Sequence, residues 1–479
     1  MAFNKHIKHL NVNDVNVNML NKFISISRIA MQFFGRTEEI KRLQNQLSAV
    51  QSQHESRMVC LMGRRRVGKT TLLLKAFENK SCLVLYLYVP NRCTLNELVR
   101  AWLDQVVEIF KLPFPPAVQT PTDVLQVVMH LSKDAPCVII IDECQELNQM
   151  DPAFWGKLQE LWDRCRQSSR TLLVMSGSII SALEDIFGNN RKPLYGRLND
   201  QMMLMPFGPS DMCTIMGTLA PLASDLDLLT VYAMTGGVAK YIELLDEAQC
   251  LTQEKAVSYF FSNAGSWLRS EGERFLSNEF RFESPIYMEL LRKIARGRSK
   301  WTELQDGMDV NITAYLRRLE TFRILRQKLP FGEQKTKGSS RWVLCDPYFI
   351  FWLRFVDSIQ ANTLESLGQS RILSQMCLRE LPTLLGRTLE EWFRQAWLQN
   401  GQWLHADAWW DRKGQNEIDL VATNPLTQSI GFAEVKLNPA KFSAGLWELK
   451  IGAFLKSQPQ YRDWNITRQG LSLEDLRNI

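Results

Sequence analysis

Gly63-Arg64-Arg65-Arg66-Val67-Gly68-Lys69-Thr70-Thr71 follows a short apolar run, Met58–Met62, and leads into a helical pattern from Lys69 to Glu78. The stretch fits GxxxxGK[ST] between a strand and a helix, the setting that pattern needs in order to bind nucleotide phosphates. Glycines let backbone N–H groups turn inward on the phosphates, and the helix N-terminus adds partial positive charge there. The reading assigns residues Gly63 to Thr71 to ATP, with Lys69 reaching the β- and γ-phosphates and the Thr70 hydroxyl ligating Mg²⁺.

Outward from this loop the chain alternates strands and helices. Phe34-Gly35-Arg36 leads into an amphipathic helix, Glu38–Val50, and beyond the loop come a strand at Leu83–Val89 and a helix at Leu95–Phe110. A Pro-rich linker at 113–121 precedes a helix at 122–133, the most apolar strand, Cys137–Ile141, and a further strand, Thr171–Met175. Continuous Val/Ile/Leu strands between helices predict a parallel sheet covered on both faces. Residues 210–275 read as a helical lid.

The apolar strand ends in Asp142-Glu143. Asp142 at the strand's C-terminal end would hold the metal, directly or through water, and Glu143 would polarise the attacking water. Ser176-Gly177-Ser178 ends the next strand. A hydroxyl there, with Ser176 the first choice, could sense the γ-phosphate, or the segment is a plain turn. Arg197 in Tyr195-Gly196-Arg197 is either an arginine finger, in cis or from a neighbouring subunit, or half of a structural ion pair.

Length and composition frame these motifs. At 479 residues two to four domains of roughly 100–200 residues are expected. The net charge of +6 is spread along the chain; it permits a nucleic-acid partner without arguing for one. No apolar run approaches the ~20 residues a bilayer needs, the longest being Cys82–Val89, and no signal-peptide core follows Lys5 and Lys8. The ten cysteines are scattered without a CxxC pair, which with five histidines argues against zinc and for a reducing compartment. A cytoplasmic protein with no membrane segment is expected. Residues 1–30 are Asn-rich and weakly patterned, and read as a poorly ordered extension; translation could start at Met1 or Met31.

Taken in order, Phe34-Gly35-Arg36, the loop at 63–71, Ile141-Asp142-Glu143-x-Gln145, Ser176-Gly177-Ser178, Tyr195-Gly196-Arg197 and Thr235-Gly236-Gly237 resemble the archaeal-type ATPases of the AAA+/STAND class. That P-loop family occurs in archaea and bacteria, and the resemblance covers about 33–270. It implies an ATP-dependent switch with a helical lid after the sheet. The family often has Pro where this chain has Ala239, a departure at the lid turn.

Residues 285–346 read as a winged helix: helices at Ile286–Ala295, Trp301–Leu304 and Asn311–Glu320, then a hairpin around a basic tip with Lys335 and Lys337. The third helix is sized for a major groove, with Arg317 and Arg318 outward; the module could equally be a packing or protein-contact unit. The family resemblance extends here through Asp346-Pro347 and Phe351-Trp352. Further on, Glu390 lies on a helix, and Asn416-Glu417-Ile418-Asp419 precedes Ala433-Glu434-Val435-Lys436. An acid on one strand and x-E-x-K within the next is the arrangement of restriction-endonuclease-like folds. Alternation puts Glu434 and Lys436 on one face. Asp419 and Glu434 would hold Mg²⁺ with the Val435 carbonyl, Lys436 would position the hydrolytic water, and Glu390 would be the helix-borne acid. The C-terminal domain usually fused to these ATPases looks like this fold, which strengthens the reading; the acids could also serve a structural metal or simple ion pairing.

The expected architecture is α/β: a P-loop parallel-sheet ATPase core (31–210), a helical lid (211–279), a winged helix (280–346), a helical linker (347–379) and a restriction-endonuclease-like α/β domain (380–479). The expected function is ATP binding and hydrolysis, with ATP and Mg²⁺ as ligands, DNA as partner and a homo-oligomer as one assembly. A STAND-type switch that binds DNA or protein without cleaving it is the competing reading.

Overall fold

The structure is a computed structural model that describes residues 32–78, 80, 82–280, 284–333 and 340–478, with side chains omitted at 277–280 and 359. The expected N-terminal extension, Met31 and the hairpin-tip lysines Lys335 and Lys337 lie outside the described residues. Two compact units divide the chain between Met205 and Pro206.

The first unit is built on five strands: β1 Arg57–Met62, β2 Leu83–Tyr88, β3 Cys137–Asp142, β4 Thr171–Gly177 and β5 Asp200–Met203. They lie in the order β2-β3-β4-β1-β5, and every neighbouring pair is parallel. All of β3 and β4 is buried, which accounts for strand sequences with no polar alternation: helices cover both faces. On one face the helices Thr37–Gln53 and Lys69–Phe77 bring Leu43, Leu47, Leu72 and Phe77 against Val59, Val138 and Val174. On the other, Leu95–Phe110, Pro121–Leu131 and Phe154–Cys165 bring Trp102, Val128 and Trp162 against Cys60, Ile139 and Met175. A buried β3 isoleucine cut to Ala would cost about 2–5 kcal/mol here.

Local chemistry sets the helix starts. Thr94 and Thr120 each accept from the backbone N–H three residues on, and Glu97 and Asp123 return the bond. Pro121 at the first helical position gives up only an N–H that would have no partner anyway, so the Pro-rich linker feeds directly into a helix.

The second unit opens with helices Pro209–Leu219, Asp225–Thr235, Ala239–Glu247, Gln253–Phe261 and Ser266–Phe280, over the stretch expected to be a helical lid. Gly236 ends the second of these in the left-handed region (φ 60°), and Gly237 (φ 71°) lies so close to Phe207 that an added Cβ would meet its carbonyl at 2.1 Å. Helices Pro285–Ala295, Trp301–Gln305 and Thr313–Thr321 follow, then an antiparallel hairpin of β6 Leu325–Lys328 and β7 Arg341–Leu344. Pro347–Phe355 and Ile359–Ser366 lead to the long helix Ser370–Gln399. The last sheet contains β8 His405–Trp410, β9 Glu417–Asn424, β10 Ser429–Lys436 and β11 Asn465–Ser472, in the order β11-β10-β9-β8. It is antiparallel except at β10–β11, which are parallel and joined through the helix Ala444–Ser457.

One feature differs from expectation. A division at 379/380 falls inside the helix Ser370–Gln399, which also continues through Pro382. Residues 438–478 contain a helix and the strand that completes the sheet. One turn of the long helix ties the second unit together. Trp392 meets Tyr232 of the lid edge-on at 5.0 Å and donates to the Leu476 carbonyl, Gln395 accepts from the Tyr232 hydroxyl at 3.3 Å, and Glu391 pairs with Arg326 of β6.

Candidate functional sites

In the first unit the loops after β1, β3 and β4 open at the same edge of the sheet, because these strands are parallel neighbours. Gly68 (φ 99°) caps the helix Lys69–Phe77 in a left-handed conformation, and Arg66 (φ 69°) shares it. A Cβ on Gly63 would come within 2.6 Å of the Leu204 carbonyl, so only glycine lets the chain leave β1 beside the segment after β5. The Lys69 ammonium is buried and donates to the Gly63 carbonyl at 2.8 Å and the Arg64 carbonyl at 3.2 Å, over the curl of the loop.

Thr70 and Asp142 meet across this site. The Thr70 hydroxyl donates to Asp142 Oδ2 at 2.8 Å, and the Tyr86 hydroxyl donates to the same oxygen at 2.6 Å. Burial, and then the Asp142 charge, push the Tyr86 phenol well up, so it stays a donor. A hydroxyl and a carboxylate this close are a hard-oxygen pair that fits Mg²⁺. Tyr86 is invisible to motif reading because it sits on β2, 56 residues before its partner.

Glu143 stands one residue past β3 with φ 54°, a left-handed conformation that swings its side chain off the strand direction. Its Oε2 accepts from Gln145 Nε2 at 2.6 Å, from the Ser178 hydroxyl at 2.8 Å and from the Ser178 N–H at 3.2 Å. Gln145 is buried against Gly177, where an added Cβ would fall 2.1 Å from Gln145 Oε1. The serine that reaches the acid is therefore Ser178; the Ser176 hydroxyl is buried without a partner among the described residues. Arg197 adopts the ion-pair alternative, gripping Asp163 through two bonds of 3.0 and 2.7 Å while also donating to the Pro193 carbonyl.

The second unit brings together three of the residues singled out near its end. Lys436 Nζ lies 3.0 Å from Asp419 Oδ2, 2.9 Å from Glu434 Oε1 and 3.1 Å from the Val435 carbonyl. The Val435 N–H also donates to Asp419, which fixes β9 against β10 at this point. Lys450, on the helix Ala444–Ser457, reaches Glu434 Oε1 at 2.8 Å, and Glu434 Oε2 is buried with no partner among the described residues. Burial and then the Glu434 charge raise the Asp419 carboxyl, while Asp419 and Glu434 hold the Lys436 ammonium above its ordinary value against burial. Glu390 is within electrostatic reach of Asp419, Lys328 and Lys436; burial, then the Asp419 charge, push its carboxyl up to about 8. Among the described residues no three His, Cys, Asp or Glu side chains gather as metal ligands, so the third oxygen of this set is the Val435 carbonyl.

The hairpin is fastened to this sheet. Arg341 pairs with Glu417 through bonds of 2.7 and 3.0 Å and lies over the Trp410 ring at 4.1 Å. Lys328 pairs with Asp407, and the Phe331 ring enters the core with Trp409 and Phe454. Arg317 and Arg318 are exposed on the helix Thr313–Thr321, Arg318 lying over Tyr287 and Phe322.

Residues 33–245 match a family described as an ATPase domain predominantly from Archaea. Residues 352–444 match a family described as archaeal and bacterial proteins of unknown function. An uncharacterised protein of Methanocaldococcus jannaschii is 24% identical over 415 residues, covering 85% of this chain and 88% of that protein. The Walker-type ATPase of Pyrococcus abyssi superposes with a TM-score of 0.53 at 17% identity, over 67% of this chain and 96% of its own, a likeness of fold. The Aeropyrum pernix ORC2 protein in its ADPNP–ADP complexes gives 0.48 at 15% identity, over 73% and 96%. The loop geometry and the domain match agree: the chain is an ATPase of the P-loop type. No helix among the described residues is long and apolar enough to cross a membrane.

Proposed function

We propose that this ATPase acts on DNA and hydrolyses phosphodiester bonds at Asp419, Glu434 and Lys436. One observation carries the reading: a single ammonium, Lys436 Nζ, is ringed by Asp419 Oδ2, Glu434 Oε1 and the Val435 carbonyl at 2.9–3.1 Å. Those three oxygens converge on one point where positive charge is stabilised, and the buried, unpartnered Glu434 Oε2 adds a fourth acceptor. The donor set fits Mg²⁺, which when bound would polarise the phosphate and lower the pKa of a water. Lys436, released from the acids, would orient that water. Glu390, carrying its proton near neutral pH, could hand it to the leaving oxygen. The exposed Arg317 and Arg318 are the residues offered to backbone phosphates.

In the ATP site Glu143 would accept a proton from the attacking water, Lys69 would balance charge on the β- and γ-phosphates, and Thr70 with Asp142 would hold Mg²⁺, which supplies Lewis acidity there. The direct experiment incubates the full chain with plasmid, Mg²⁺ and ATP, with and without Glu434→Ala. Cleavage by wild type alone supports the reading, and no cleavage by wild type with Mg²⁺ or Mn²⁺ refutes it.

A second reading, an ATP-dependent switch without nuclease activity, rests on Lys450. Its ammonium at 2.8 Å is a second cation on Glu434 and competes with any metal for the same oxygen. Lys450→Ala separates the two, since it should strengthen Mg²⁺-dependent cleavage in a nuclease whose metal Lys450 opposes and produce none in a switch.

A further inference from the structure

Several arginines of the second unit are neutralised. Arg269, Arg292, Arg326, Arg341, Arg394 and Arg477 each pair with a carboxylate. Arg354 differs. It sits half-buried on the wall of a cavity of about 460 Å³ that is also lined by Arg296, Ser358, Gln360, Cys377 and Glu380. Burial pulls its guanidinium below the ordinary range; Glu380 opposes that shift and the nearby Arg387 adds to it. Its described neighbour is the Phe355 ring, 5.7 Å away, and among the described residues it forms neither an ion pair nor a side-chain hydrogen bond. Among the described residues Arg296 and Arg387 likewise form no ion pair.

The backbone is shaped to keep these cations together. Gly297, next to Arg296, has φ 103°, and a Cβ there would strike the Arg387 guanidinium at 2.6 Å. Arg387 can therefore lie across the turn that ends the helix Pro285–Ala295. Two guanidiniums, Arg354 and Arg296, line the hollow against a single acid, Glu380, and the Arg387 guanidinium lies behind them at the Gly297 turn. Like charges so placed repel one another and carry uncompensated desolvation, an arrangement that favours a bound anion. The volume is within the range of small-ligand sites and far exceeds a lone phosphate. The lining is mixed rather than apolar: Ser358 and Gln360 can hydrogen-bond a sugar or base, and Phe355 offers a ring edge.

We propose that this cavity binds a phosphate monoester of about mononucleotide size, with Arg354 and Arg296 on the phosphate. The site is separate from the ATP loop and does not depend on the nuclease reading.

The test is equilibrium titration of the full chain carrying Lys69→Ala, which silences the ATP loop, with AMP, ribose 5-phosphate and inorganic phosphate in turn. Saturable binding of AMP or ribose 5-phosphate is expected, tighter than that of phosphate. Arg354→Gln should weaken it by about tenfold or more, the value of a charge-assisted bidentate contact. Arg296→Gln, at the exposed rim where folding is not at risk, should weaken it severalfold, and Arg412→Gln, exposed and outside the cavity lining, should leave it unchanged. The proposal is overturned if none of the three probes binds saturably at millimolar concentration, or if binding survives both Arg354→Gln and Arg296→Gln. It is equally overturned if those substitutions weaken duplex DNA binding alone, which would make the cavity a phosphodiester contact.

Discussion

Ser178 holds Glu143: its hydroxyl and its backbone N–H both donate to the same carboxylate oxygen, at 2.8 and 3.2 Å. A base restrained this way is aimed by its neighbours, and the restraint must be exchanged for water when the acid works. Glu143→Gln should bind ATP and lose roughly a hundredfold or more in turnover, as expected for removing a general base. Ser178→Ala should lower kcat several-fold with ATP affinity kept, and Ser176→Ala should change little. Steady-state ATP hydrolysis checks all three, and a larger loss at Ser176 than at Ser178 would contradict the geometry.

Lys69→Ala should abolish ATP-induced thermal stabilisation. Its ammonium is the buried cation over the loop carbonyls, held by the Gly63 carbonyl at 2.8 Å. Binding that merely drops severalfold would shift the main contact to the backbone N–H groups.

Arg197 and Asp163 provide a paired test. The pair is partly exposed, so breaking it should cost about 0–1 kcal/mol of stability from either side. If the arginine only pairs, Arg197→Ala and Asp163→Asn will have equal, small effects on melting and none on kcat. A kcat loss confined to Arg197→Ala would mean that it leaves Asp163 to act on the transition state.

Glu390 makes stability depend on pH. Its carboxyl is raised from 4.5 to about 8 in the folded chain, so between those values the folded state keeps a proton that the unfolded state has released. Stability from this group is therefore greatest below about pH 4.5, falls as pH rises, and levels off above about pH 8. Glu390→Gln should remove that slope and raise stability at pH 8.5 by roughly 1–3 kcal/mol relative to wild type. Chemical denaturation at pH 5 and 8.5 measures it; an unchanged slope in the variant would place the titration elsewhere.

Glu434→Ala and Lys436→Ala should each remove metal-dependent DNA cleavage and leave ATP turnover intact, because the ATP site draws on Thr70 and Asp142 in the other unit. A gel assay beside an ATPase assay separates the two. Normal cutting by both variants would assign the activity to another site.

The parallel sheet was legible because its strands are buried on both faces and so carry unbroken apolar runs such as Val138–Ile141. The ATP loop was legible because backbone geometry demands glycine at fixed spacing, and Gly68 at φ 99° meets that demand. β11 was not, since Asn-Ile-Thr-Arg-Gln-Gly-Leu-Ser lies at a sheet edge, is mostly exposed and shows no alternation. Asp419, Glu434 and Lys436 could be grouped from strand alternation, whereas Lys450 reaches Glu434 from a helix, and nothing in its local sequence marks it. Choosing between Ser176 and Ser178 needed the end of β4 located to the residue. The anchoring of the hairpin was not legible either, because the acids that hold Arg326 and Lys328, Glu391 and Asp407, lie far along the chain on other elements.

The turn from Glu390 to Gln395 has a practical consequence. Over six consecutive residues one helix faces the acid cluster, grips β6, meets the Tyr232 ring edge-on and supports the segment at Leu476. Arg477 closes the circle by pairing with Asp225 in the lid. Fragment expression will therefore mislead: a piece beginning at 380 loses the Tyr232 and Arg326 partners, and one stopping at 346 strips the cover from the Tyr232 ring. Dissecting this protein calls for point substitutions in the intact chain, because the cut ends would be sticky apolar faces prone to aggregation.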